Sequence, residues 1–178
     1  MKVAARFGPA RLDEFRIDAA VGLELPSRVE AVPVAPVLVV DTVAAPPPMR
    51  IYPVASQVAD KLAAMYEVHR GRPSSRYRDL VDLVLILQNL TFEAADARTA
   101  IKAECLRRGL DFSLPLQLPG EQWRSGYRTE ASSAGLDRHL RDVDVALRLL
   151  DSCVTPIMDG SPVSSWNSEK RAWNSVTP

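Results

Sequence analysis

Residues 74–87 read SSRYRDLVDLVLIL, with Arg76, Arg78, Asp79 and Asp82 at the front and an uncharged apolar run behind them. Leu80, Val81, Leu83, Val84, Leu85, Ile86, Leu87 and Leu90 would cover every face of a helix. The spacing therefore predicts a helix central in a bundle, from Ser75 to Leu90, with Ser74 or Ser75 as its N-cap. Its first two turns must emerge from the core, because the charges are there. Asp79 and Asp82 stand three apart and share a face. Carboxylates near a helix N-terminus gain about 0.3–1 kcal/mol each from the macrodipole. Caps and Arg–Asp pairs on a rim would by themselves account for the pattern.

The preceding segment, 56–70, reads SQVADKLAAMYEVHR and predicts a second helix, capped by Ser56 and ended by Gly71 and Pro73. Lys61 lies among Val58, Ala64, Met65 and Val68 at helical spacing and is the only cation on that strip. Such a lysine snorkels, pairs with Asp60 or Glu67, or faces something negative. Downstream, Thr91 is expected to cap a helix that closes at Arg107, Arg108 and Gly109. Residues 121–133 read as a short helix or turn. Leu136, Leu140, Val143, Leu147 and Leu150 give one apolar helical face.

The N-terminal region differs. Phe15, Ile17, Ala19 and Val21 alternate with polar or small residues as in a strand. Residues 37–40, VLVV, are a further strand candidate, and AAPPPMRIYP is a proline-rich extended joint. The expected fold is α+β. A short β-rich segment spans residues 1–52, a mostly helical bundle spans 53–160, and 161–178 is a loosely ordered tail.

With 22 basic and 22 acidic residues the formal net charge is zero, so no global field draws the chain to nucleic acid or a membrane. The longest uncharged apolar run is far too short to span a bilayer. Cys105 and Cys153 are isolated, which excludes a Cys/His zinc motif and suits a reducing compartment; a cytoplasmic location is expected. His69 and His139 have no ligand spacing and read as surface or satisfied residues. Arg72, Arg76 and Arg78 in RPSSRYR are a candidate contact for RNA phosphate or triphosphate, against the commoner reading of a solvated run.

The line YPVASQVADKLAAMYEVHRGRPSSRYRDLVDLVLIL, 52–87, resembles the nucleotidyltransferase toxins of the AbiEii/AbiGii type, found in bacterial abortive-infection and toxin–antitoxin pairs. Their lysine-bearing helix and R-x-K-D-x-x-D-L element are matched by Asp60-Lys61 and by Arg76 to Leu83, with Arg78 where lysine is usual. The likeness extends more loosely to Trp166 and Trp173. It implies a nucleotidyltransferase-like sheet followed by helices, and metal-dependent transfer from an NTP to an acceptor such as RNA, with Mg2+ at the triphosphate. In that scheme Lys61, Asp79 and Asp82 are catalytic. Lys61, Arg76 and Arg78 contact nucleotide phosphate, and Asp18, in FRIDAAVG, is a metal ligand. A cognate antitoxin is the implied partner.

One departure matters. The family's Gly-Ser followed by Asp-x-Asp has no match here, and the lone Asp-x-Asp, Asp142-Val143-Asp144, is expected inside the last helix. Hard divalent cations need several oxygen ligands. The expectation is thus a chain lacking the first part of the sheet and impaired in transfer. The alternative is a non-catalytic helical module that binds an antitoxin, another protein or nucleic acid.

Overall fold

The computed structural model describes residues 1–18, 29–36, 38–39, 41–111 and 113–176. The fold is α+β. Short antiparallel strand pairs flank five helices: α1 (Val54–Tyr66), α2 (Tyr77–Asn89), α3 (Ala94–Arg108), α4 (Trp123–Ser133) and α5 (Val143–Met158). α2 packs against α1, α4 and α5, and α1 also packs against α3. Leu80, Val81, Leu83, Val84, Ile86 and Leu87 are buried, as expected of a central helix. Leu85, and Leu90 at the C-terminal end, look outward.

The helix ends differ from their expected caps. α1 starts at Val54 with Pro53 before it, and Ser56 is buried within the first turn. Proline suits this place because a helix start has no partner for its N–H. α2 begins after Arg76, and Ser74 is buried, its Oγ accepting from the Arg76 backbone N–H at 3.2 Å. α3 begins after Glu93 rather than Thr91 and ends, as expected, at Gly109 in the left-handed region. Of residues 121–133, Trp123–Ser133 form a helix, α4.

Of the Asp-x-Asp pair only Asp144 lies inside the last helix, in its first turn. A 3-10 turn over Arg138–Arg141 precedes it, and Asp142 is the N-cap of α5, accepting from the N–H groups of Asp144 and Val145. A carboxylate one residue before a helix is better used as a cap than as a helical residue.

Within the segment read as a loose tail, the described residues form a hairpin. Strands Val163–Asn167 and Ala172–Ser175 pair antiparallel, and Trp166 is fully buried, its indole N–H donating to the Leu87 carbonyl at 2.8 Å. Trp173 lies against Trp166 and Phe92, edge to face, and donates to the Cys153 carbonyl. Two tryptophans seven positions apart in a polar stretch thus close the helical core.

The N-terminal region holds separate two-stranded pairs among the described residues. Lys2–Val3 pairs with Phe15–Arg16, Arg6–Phe7 with Ala10–Arg11, and Glu30–Val32 with Met49–Ile51. The alternation starting at Phe15 does not bury a face, because Phe15 and Ile17 are exposed; Ala19 and Val21 lie outside the described residues. Leu38 and Val39 are exposed and outside any strand, and Val37 and Val40 are not among the described residues. Among the described residues no helix is long and apolar enough to cross a membrane.

Candidate functional site

α1 and α2 pack side by side, and this sets the site. Lys61 sits halfway along α1, flanked by the buried Val58, Leu62 and Met65, so its stem is fixed against the core. Its ammonium, with the side chain 22% exposed, meets the first turns of α2. Lys61 Nζ donates to Asp82 Oδ2 at 2.6 Å and lies 3.5 Å from Asp79 Oδ1. The alternatives for this lysine are filled otherwise: Asp60 and Glu67 both bind Arg108 of α3.

The two arginines complete the rim. Arg76 Nη1 stands 3.8 Å from Asp79 Oδ2, and Arg78 Nε 3.8 Å from Asp82 Oδ1. Both side chains are more than half exposed, 61% and 63%, so these loose pairs leave most guanidinium N–H groups facing water. Arg78 also approaches Glu130 of α4 at 3.9 Å. Glu130 has no local sequence signature as a member of this cluster; it arrives through the packing of α4 on α2.

Asp79 is the unusual group. It stands in the first turn of α2, where the helix dipole favours a negative charge. Yet its carboxyl is pushed above the usual aspartate range, chiefly by burial, against the lowering influence of Lys61 and Arg76. Its Oδ2 is buried and receives no hydrogen bond. A carboxylate in this condition is an acceptor waiting for a donor.

The α2 N-terminus is held from behind. Trp123 Nε1 donates to the Ser74 carbonyl at 2.9 Å, and Tyr77 packs edge to face on Trp123. Gly126 of α4 lies directly under the Tyr77 ring, where a Cβ would come within 2.3 Å. Glycine is required there by this close approach.

Lys61, Arg76, Arg78, Asp79 and Asp82 are thus brought together. Asp18 is not part of this cluster in any described contact; it is exposed, just beyond the strand Phe15–Arg16. Among the described residues no group of three or more His, Cys, Asp and Glu side chains gathers in a metal-holding arrangement. Asp79 and Asp82 already share a lysine. The described donors therefore do not by themselves fit a divalent metal.

Comparison with known proteins gives the family and leaves the roles of these side chains open. No curated protein and no solved structure matches the chain. Residues 1–149 match the family model described as Nucleotidyl transferase AbiEii toxin, Type IV TA system, a stretch that includes Lys61 and the whole arginine–aspartate element. With well over half of its length matched, the chain belongs to the AbiEii nucleotidyl transferase toxin family.

Proposed function

We propose that the chain acts in nucleotide transfer from a nucleoside triphosphate to an acceptor such as RNA, and that the Lys61 rim is its phosphate-facing site. Membership in a toxin–antitoxin family makes an antitoxin its implied partner. The observation that carries the reading is the convergence of the Lys61 amine on Asp79 and Asp82, with two exposed guanidiniums outside it. A triphosphate concentrates negative charge that catalysis must offset. Arg76 and Arg78 are free to do so, because their existing pairs are long and solvated. Lys61 would bind a phosphate oxygen, and Asp82 would hold its amine in place. Asp79 would orient Lys61 or accept from the attacking hydroxyl through its unpartnered oxygen.

The test is transfer of labelled nucleotide to RNA by the purified protein. Lys61→Ala should lower the rate by at least about 100-fold, the scale for removing one preorganised charge donor. Undiminished transfer in that variant would sink the assignment.

The exposed Asp18, in no metal-holding group among the described residues, favours a second reading: a non-catalytic module that uses the same rim to bind a partner. Undetectable transfer under any divalent cation, together with antitoxin binding lost on Arg76→Ala and Arg78→Ala, would select it.

A further inference from the structure

Between α1 and α2 the chain makes a small hairpin, β7 (Val68–His69) with β8 (Arg72–Pro73). Every residue from Val68 to Pro73 is exposed. Its two turn residues, Arg70 and Gly71, both have positive φ, 54° and 76°. A two-residue turn of this kind wants asparagine or glycine at the first place. Arginine there is conformationally unfavourable, and such strain persists where the side chain serves something else.

The charges around the hairpin are unbalanced. Among the described residues neither Arg70 nor Arg72 lies within ion-pair distance of an acid. The nearby acids are taken by other cations: Glu67 by Arg108, and Asp79 and Asp82 by Lys61. The hairpin is also tied to the rim. Ser74, immediately after it, is pinned by Trp123 and by the Arg76 N–H. Arg72 and Arg76 are four positions apart, so their Cα atoms are at most about 14 Å apart. Arg70, Arg72, Arg76 and Arg78 are thus four exposed arginines within nine consecutive positions, the last two of them at the Lys61 rim. An open ribbon encloses no compact anion, but it suits an extended one. Guanidinium forks match phosphodiester oxygens in two-point contact.

We propose that this hairpin is a clamp for the acceptor strand: Arg70 and Arg72 hold the backbone phosphates of single-stranded RNA and lead its end to the Lys61 rim. The inference rests on the reading of that rim as a nucleotide-transfer site with an RNA acceptor. The contacts carry no base recognition, so affinity should be salt-dependent and tolerant of sequence.

The experiment measures binding of a labelled 12-nucleotide single-stranded RNA across a salt series, with ATP binding measured in parallel. In the Arg70→Ala, Arg72→Ala double variant, RNA affinity should fall and the slope of log K against log salt should shrink by about 1.4, for two lost single-strand phosphate contacts. ATP affinity should hold. Arg70→Gly should weaken RNA binding while raising the melting temperature, since glycine relieves the turn. An unchanged slope overturns the clamp, and so does equal loss of binding to a polyglutamate peptide, which would mark a surface for acidic proteins. Failure of the nucleotide reading looks different: ATP binding indifferent to Lys61→Ala, whatever the hairpin does with RNA.

Discussion

At the scale of single residues, Asp79 carries the most chemical information. Its carboxylate is held in the folded chain against the direction that burial prefers. With the folded pKa above the ordinary 3.8, the native state binds the proton more tightly than the unfolded chain does. Stability contributed by this group therefore declines as pH rises above 3.8 and levels off beyond the folded value. Asp79→Asn should melt at or above the wild-type temperature at pH 7, with the difference vanishing towards pH 4, while nucleotide transfer is lost. Thermal melts across pH check it, and a variant less stable at pH 7 contradicts it. The partners of Lys61 were only partly legible in the sequence. Helical spacing puts Lys61 on an apolar strip, and the motif marks Asp79 and Asp82. That Asp60 and Glu67 are claimed by Arg108, 41 or more positions away, has no local signature.

At the scale of elements, two contacts hold α1, α2 and α4 in the relation the site needs. Arg108, only 13% exposed, joins the end of α3 to α1 through Asp60 and Glu67, and bonds Glu104 on its own helix. Removing it takes this cation from Asp60 and Glu67 while Glu104 keeps Arg107, and Arg108→Ala should cost about 2 kcal/mol in urea unfolding. Burial would raise the Glu104 carboxyl, but hydrogen bonds from Arg107 and Arg108 hold it below its ordinary 4.5. That contribution is present above pH 4.5 and fades as pH falls through the lower folded value, so the Arg108→Ala deficit should narrow in acid. Gly126→Ala drives a methyl into Tyr77 and should destabilise by about 1–3 kcal/mol. Because Tyr77 opens α2, the same variant should weaken nucleotide binding although it touches no site residue; unchanged affinity with lowered stability would separate the two roles.

At the scale of the whole molecule, the C-terminal hairpin belongs to the core. Trp166 is fully buried against Phe92 and bonds to Leu87 across 79 positions. Trp166→Ala should cost about 3–5 kcal/mol, and a chain ending at residue 160 should lose cooperative unfolding in a calorimetric scan. A truncated chain that still melts sharply at the wild-type temperature would refute this. The sequence by itself determined the central helix, the Gly109 stop, the α+β class and the lysine–arginine–aspartate element. These follow from periodicity, from a residue tolerant of positive φ and from motif spacing, all properties of neighbouring positions. Tertiary structure alone decided that Glu130 joins the rim, that Asp18 stands apart from it and that the tryptophan hairpin seals the bundle. Each of these depends on which distant surface excludes water from a side chain, and an amino-acid string records no such distance until the helices have packed.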